Sequence, residues 1–431
     1  MSTTGQATTE AGASGLIRVP RQIIFGAGQR RGLGAVTAAL GTNALVCTDA
    51  RMAGAPEFLE IRENLRAAGV AVHVFSAVEA ELPAGSIADC VDEVAALGID
   101  VVLGVGGGSC IDHAKVVSAL LVHGGKPGDY YGEFKIPGPS LPVVAVPTTA
   151  GTGSEVTPVA VIADPDREMK VGISSPHLIP HTAVVDPELT YTCPRSLSAH
   201  AAADALSHCV EAFTAIRRPP DPALSTERVF VGKSLLTDSY ALSGIELIGR
   251  SIVAACSGGD DRSARAELHL GALYGGLALG TAGTAAAHAL QYPIGALTHT
   301  PHGAGVGALL PYVMAYNLPA RTAEFAAVAS ALRCPLDSDA TVAPGAADSG
   351  SAAESGRARA AVRRVAELLG AVGIPRDLAE LGLSEDRLDW VAERGMSAAR
   401  LVDNNPRPLD SGEMGRILRA AFDGDLDGLL G

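Results

Sequence analysis

Along residues 18–185, short runs of Val, Ile, Leu and Ala alternate with stretches in which apolar side chains recur every three to four positions. A run that is apolar throughout is what a strand shows when both of its faces are covered, whereas the 3.6-residue period marks a helix with one buried side. The pattern predicts strands at 43–47, 70–75, 101–105 and 143–146, and helices at 31–40, 56–68 and 87–97. Strands separated by helices in this way assemble a doubly wound parallel sheet. Residues 159–162 and 170–173 flank the turn Asp164-Pro165-Asp166 and read as a hairpin.

Beyond residue 194 the strand signal fades and the helical period takes over, with helices predicted at 201–215, 237–256, 265–279 and 359–372. The expected fold class is therefore an α/β N-terminal domain, residues 17–194, followed by an all-α C-terminal domain, residues 195–431. Residues 337–356, rich in Ala, Ser, Gly and Asp and without a period, read as a solvated loop or insertion. Residues 1–16 lack the basic start and apolar run of a signal peptide and read as a disordered lead-in. No fixed internal repeat is present, which argues against a solenoid.

Composition narrows the partners. With 431 residues, 47% of them hydrophobic, the chain can build proper cores without staples. Its formal charge of -14 disfavours nucleic acid, since nothing would release condensed counterions, and no run of about 18 apolar residues marks a membrane span. Small molecules are the expected partners. The seven cysteines stand singly, with no CxxC pair, so neither a disulfide framework nor a cysteine zinc knot is legible and a reducing cytoplasm is the expected location.

Two loops carry candidate chemistry. GVGGGSCIDHAK (Gly104 to Lys115) follows a predicted strand and opens a helix, a setting in which bare amides and a positive helix end hold a diphosphate. It is not a G-x-G-x-x-G fingerprint, because Ser109 takes the last glycine position, and a tight strand-to-helix turn would call for glycine on steric grounds alone. Asp49 closes the earlier strand in ALVCTD, where its carboxylate could accept from an adenosine ribose and repel a 2'-phosphate, or equally cap a helix. PTTAGTGSEVTP (Pro147 to Pro158) is a second polar loop at a neighbouring strand end, so one crevice could take a dinucleotide between the two, with Lys170 near the ribose.

In HAAADALSHCVEAF (His200 to Phe213), Asp204 and His208 lie four apart on one face of a predicted helix, a spacing also common in exposed pairs. HALQYPIGALTHTPHG (His288 to Gly303) adds His288, His299 and His302 in an apolar setting. One carboxylate with two or three imidazoles suits Fe(II) or Zn(II) and leaves a position open for Lewis-acid chemistry. Glu211 is a spare carboxylate nearby, and His299 also reads as a plain core or surface residue.

GGGSCIDHAK, PTTAGTGSEVT, DPELT (Asp186 to Thr190), DALSHCVEAF and HALQYPIGALTHTPHG, in this order between PRQIIFGAG at Pro20 and NNPRPL at Asn404, resemble the iron-containing (group III) alcohol dehydrogenases. The resemblance implies a dehydroquinate synthase-like architecture and a metal-dependent, NAD(P)-linked oxidoreductase that interconverts a small primary or secondary alcohol and its aldehyde or ketone by hydride transfer. It implies Fe(2+), with Zn(2+) as substitute, on Asp204, His208, His288 and His302, without His299. NAD(H) or NADP(H) would lie along Asp49, Gly107, Gly108, Ser109, Asp112, Thr148, Thr149, Thr152 and Lys170. His288, His302 and Tyr292 would surround the reacting carbonyl, and a homodimer is the expected assembly.

Three departures from the family pattern stand out. Tyr292 replaces a second histidine four residues after the third ligand, Leu82-Pro83 replaces an Asn-Pro, and His200 and Ala202 stand where smaller residues are usual. Competing expectations are a reductase of a small acidic aldehyde, such as a phosphonate aldehyde or a semialdehyde, a dehydroquinate synthase-like lyase, and a non-catalytic nucleotide-binding scaffold. The maleylacetate reductases, related but with altered ligand positions, fit less well because all four ligands are present.

Overall fold

The computed structural model describes residues 14–167, 170–258, 261–335 and 349–431. Nine strands are found among them: β1 (Gln22–Phe25), β2 (Asn43–Cys47), β3 (Ala71–Phe75), β4 (Val101–Gly106), β5 (Gly132–Glu133), β6 (Val143–Pro147), β7 (Val159–Ala163), β8 (Lys170–Ser174) and β9 (Thr182–Val185). Six of them form one parallel sheet in the order β1-β9-β6-β4-β2-β3. The apolar runs are explained by cover on both faces. Leu45 and Cys47 of β2 pack with Ile87, Cys90 and Val117 on one side. Ala44 and Val46 of the same strand pack with Leu33, Phe58, Ile61 and Leu65 on the other. Each such large side chain, fully covered, contributes roughly 1.5–3 kcal/mol.

The register decides where the site lies. Cys47 is level with Gly104, and Gly106 with Pro147, so β2, β4 and β6 end side by side and the segments after them leave the sheet together. The chain runs outward from β2 to β3 and then returns across β2 to β4, which makes β2/β4 the point where the winding reverses and where such sheets bind ligands.

The four expected strands are present, but β1 and β9 were not foreseen. Each has only four residues, too few for a period to show, and β1 is partly exposed at the sheet edge. Parallel pairing with neighbours, not local pattern, makes them strands. The expected hairpin is the antiparallel β7–β8 pair, to which β5 adds in parallel. The helix expected at 31–40 contracts to Leu33–Ala38 behind a 3-10 turn, and the one expected at 87–97 moves to Ala84–Val94 because Pro83 stands at its N-cap.

The second half is helical. Helices Arg195–Thr214, Leu235–Cys256 and Arg262–Ala282 share one apolar core, and His302–Asn317 contributes Ala308, Leu310 and Met314 to it. The expected loop at 337–356 is corrected in part. Helix Ser349–Ala371 begins inside it, since alanine has the highest helix propensity and needs no periodic apolar face. The rest of that stretch lies outside the described residues, as does the expected lead-in except 14–16, which carry no regular structure. Among the described residues no helix is long and apolar enough to cross a membrane.

Asp186, the first residue of DPELT, is fully buried at the end of β9. Its carboxylate accepts from the amides of Gly28, Glu188 and Arg30, at 3.0, 3.0 and 3.1 Å, and from the Arg30 guanidinium. The motif therefore ties β9 to the turn after β1. The helical half is fitted to the sheet half at Gly153, in the second polar loop, and Gly276 of helix Arg262–Ala282. A methyl group on Gly276 would sit 2.7 Å from the Gly153 Cα, and Gly153 itself has a φ of 63°. Gly276→Ala is expected to destabilise the protein by about 1–3 kcal/mol, the usual cost of overpacking, read as a lower urea midpoint with a helical spectrum retained below it.

Candidate active site

A cleft of about 450 Å³ at the carboxyl ends of β2, β4 and β6 is closed on its far side by the helical half. Asp49, Gly107, Gly108, Ser109, Asp112, Thr148, Thr149, Thr152 and Lys170 all line it. Gly107 is extended and Gly108 opens helix Gly108–His123, so the first turn's free amides face the cleft. Thr148 Oγ1 is buried there without a hydrogen-bond partner. Asp49 is a helix cap, its Oδ1 accepting from the Met52 amide at 2.7 Å, and its Oδ2 is left facing Cys110 and the cleft. Lys170 pairs with Glu81 across the rim.

Asp112 and Lys115 form a brace beneath both loops. The Asp112 carboxylate accepts from the Ser154 hydroxyl and, at 2.9 Å, from the Val161 amide. Lys115, fully buried, donates to Ser154 Oγ and the Val159 carbonyl at 2.8 Å and to Thr157 Oγ1 at 3.2 Å. A buried ammonium needs this many acceptors, and burial lowers its pKa. Beside it, burial raises the Glu155 carboxyl to about 7, against the opposing pull of Lys115.

At the helical end, Asp204, His208 and Glu211 stand at i, i+4 and i+7 on helix Arg195–Thr214 and are all buried. Asp204 Oδ1 lies 3.3 Å from His208 Nε2, 3.5 Å from His288 Nε2 and 3.6 Å from His302 Nε2. His288 is held from behind, its Nδ1 2.5 Å from Glu211 Oε2, while Glu211 Oε1 accepts from the Ala287 amide at 2.8 Å. That leaves the Nε2 of His288 aimed at Asp204. Glu211 is the functional residue that sequence reasoning left spare, and its i+7 spacing was the available signal.

The turn between the two histidine-bearing helices explains their meeting. His299 is exposed and left-handed, with a φ of 53°, and ends helix Ala286–Thr298; Pro301 then starts helix His302–Asn317. His299 thus reverses the chain and stays outside the cluster. Gly303 lets the new helix touch helix Arg195–Thr214, because a methyl group there would lie 2.0 Å from the His200 carbonyl oxygen.

Electrostatics point to a cation at this spot. Burial opposes ionisation of Asp204, yet His208, His302 and His288 hold its carboxyl well below the usual range. Burial likewise opposes a charged His288, but Glu211 and Asp204 outweigh it and raise that imidazole to about 9. His302, without such a partner, is lowered by burial to about 3. Asp204 Oδ1 and His288 Nε2 are buried with no hydrogen-bond partner. Asp204, His288 and His302 each bring one ligand atom within 4.8 Å of the others, and His208 Nε2 approaches the same carboxylate oxygen at 3.3 Å, a donor set that fits one divalent ion of the Fe(II) or Zn(II) type.

Tyr292 stacks on His302, ring centroids 6.0 Å apart, and forms the wall of the cleft beside the cluster. His200 also lines the cleft, whereas Ala202 is fully buried in the helical core. Leu82 is buried with a φ of 52°, and Pro83 bridges to Ala163, so this pair shapes the rim.

Residues 20–187 match the family model of iron-containing alcohol dehydrogenases, and 198–422 match the C-terminal model of the Fe-containing alcohol dehydrogenase family. The chain belongs to the iron-containing alcohol dehydrogenase family. It is an oxidoreductase that interconverts alcohols and carbonyl compounds, on the dehydrogenase branch and not among dehydroquinate synthase-like lyases. It is 32% identical over 388 residues to long-chain-alcohol dehydrogenase 1 of Geobacillus thermodenitrificans, covering 89% of this chain and 90% of that one. It is 30% identical to the sulfoacetaldehyde reductase of Bilophila wadsworthia, covering 91% and 96% of the two. A solved 1,3-propanediol oxidoreductase superposes with a TM-score of 0.84 at 29% identity, over 94% of this chain and 99% of that one.

In this dehydrogenase the brace beneath the loops has a pH signature. Glu155 binds its proton more tightly folded, at about 7, than unfolded, at the usual 4.5. Its contribution is therefore greatest below the unfolded value and is lost as pH rises through the folded one. Glu155→Gln, which cannot ionise, is expected to gain stability relative to the parent between pH 5 and 8, by up to roughly 3 kcal/mol. Urea midpoints of both proteins across that range check this.

Proposed function

We propose that Asp204, His208, His288 and His302 hold a divalent metal, iron first and zinc as its substitute, beside NAD(H) lying along the two loops. The substrate is a small alcohol or aldehyde. The observation that carries this reading is the convergence of three imidazoles on the buried, unpartnered Asp204 Oδ1, in the same cleft as the two polar loops. When bound, the metal supplies a Lewis acid for the carbonyl oxygen and the nicotinamide a hydride for the carbonyl carbon.

The protein's own residues do the rest. Amides after β4 and hydroxyls after β6 hold the pyrophosphate. The Asp49 carboxylate accepts from the adenosine ribose and disfavours a 2'-phosphate, which supports NAD(H) over NADP(H). Glu211 fixes the tautomer and orientation of His288. Tyr292 keeps its phenolic proton, since burial raises its pKa, and can donate a hydrogen bond toward the reacting oxygen. We further place the enzyme in the cytoplasm, as its seven free thiols suit a reducing compartment, and take a homodimer as the working assembly.

His302→Ala is expected to lower kcat with any aldehyde at least about 100-fold while the circular dichroism spectrum and melting cooperativity persist, because a half-exposed ligand is lost and no core is emptied. Turnover near the parent level would remove His302 from the site. Glu211→Gln is expected to weaken metal retention roughly 10- to 100-fold, measured by metal analysis after dialysis against a chelator.

A further inference from the structure

Three cations line the cleft, and two of them are accounted for. Lys170 pairs with Glu81, and Arg51 is exposed at the Asp49 end, away from the histidines. Arg400 is different. It lines the same cleft with His288, Tyr292 and His302, and its guanidinium lies 4.2 Å from the ring centre of the buried Phe230. Among the described residues, no carboxylate or carbonyl takes a hydrogen bond or ion pair from it. Glu133 acts on it only at longer range, and one oxygen of that carboxylate accepts the Val229 amide at 2.5 Å.

The segment that carries the side chain is held in place from below. Arg400 sits on the short helix Ala399–Val402, just ahead of the Asn-Asn-Pro segment. Asn404 donates to the carbonyls of Ala282 and Thr284, both at 3.0 Å, and its own carbonyl accepts from the Ile216 amide at 2.9 Å. Asn405 and Asn317 exchange a pair of 2.8 Å amide bonds. A cation pinned by such anchors, stacked on an aromatic ring and left without a counter-ion in a half-buried pocket, is arranged for a ligand's oxyanion. The guanidinium offers parallel N–H donors, and partial burial keeps salt from screening them.

We infer that Arg400 makes the end of the substrate pocket beyond Tyr292 an anion subsite, so that the aldehyde carries a carboxylate, sulfonate or phosphonate group. The inference rests on the reductase reading above and names its substrate class. The carbonyl lies at the histidine cluster, Tyr292 runs along the side, and the anion meets Arg400.

The test uses the iron-loaded full-length enzyme with NADH and four probes: propanal, succinic semialdehyde, sulfoacetaldehyde and phosphonoacetaldehyde. At least one anionic aldehyde is expected to be reduced with a kcat/KM about 100-fold above propanal. Arg400→Gln should erase roughly 10- to 100-fold of that preference through KM, and Arg400→Lys should retain part of it. In a binding arm without turnover, ethanesulfonate, methylphosphonate or propionate should raise the melting temperature of the parent more than that of Arg400→Gln. The inference is overturned if the parent gains nothing from the anion, if Arg400→Gln slows charged and neutral aldehydes equally, or if it raises the KM for NADH instead. Turnover of propanal in those cases leaves the reductase function standing, whereas no turnover of any aldehyde removes both.

Discussion

A carboxylate that is taken out of water must be met by positive charge, and the helical half of this protein is organised around that requirement at Asp204. Its relative exposure is 3%, and its Oδ1 has no hydrogen-bond donor, only three imidazole nitrogens at 3.3 to 3.6 Å. An uncompensated ion there would cost several kcal/mol, more than a single helix contact returns. The neighbours share that burden unevenly. Glu211 holds His288 with its Nε2 toward the carboxylate and favours its charged form, whereas burial disfavours a charged His302. The geometry of these four side chains follows from that single electrostatic demand.

Bringing the donors together takes backbone with little bulk. Asp204 and His208 share a helix face, but His288 and His302 come from two helices that must fold back on each other and press against the first. The left-handed His299 makes the reversal and Gly303 permits the contact. At the other end of the cleft, parallel register sets β2, β4 and β6 level, so Asp49, the glycine loop and the threonine loop line one cleft. Gly153 against Gly276 then fixes the distance between the two polar loops and the histidine cluster. Loops and cluster are neighbours because two glycine contacts set the separation of rigid parts.

Much of this was legible in the sequence, for identifiable reasons. Strands buried on both faces give apolar runs that survive without context, so β2, β4 and β6 could be read directly. Four-residue β1 and β9 could not, because their only distinguishing property is a partner strand far along the chain. The donors Asp204, His208, His288 and His302 are visible as residue types at helical spacing, and the structure does bring them together. Glu211 was seen but left without a role, since its link to His288 joins positions 77 apart. Asp112 was read only as a cofactor contact, while its carboxylate is also occupied with Ser154, Lys115 and the Val161 amide. Arg400 gave no signal, being one of many surface-type arginines until the fold carries it to the pocket.

The distribution of unusual residues along the cleft follows from the same physics. The cluster tolerates little change, because removing one donor leaves the others desolvated and unpaired. The wall is under no such constraint. Tyr292, His200 and Arg400 differ in size, polarity and charge from one another, and each lines the cleft. Tyr292 stacks on His302 and so couples the wall to the cluster. Arg400, by contrast, is positioned from the far side, by asparagine bonds to the helical core that touch neither metal donors nor cofactor loops. A wall anchored independently of the chemistry can be altered without disturbing it, which is how one reaction centre can serve alcohols and aldehydes of quite different character.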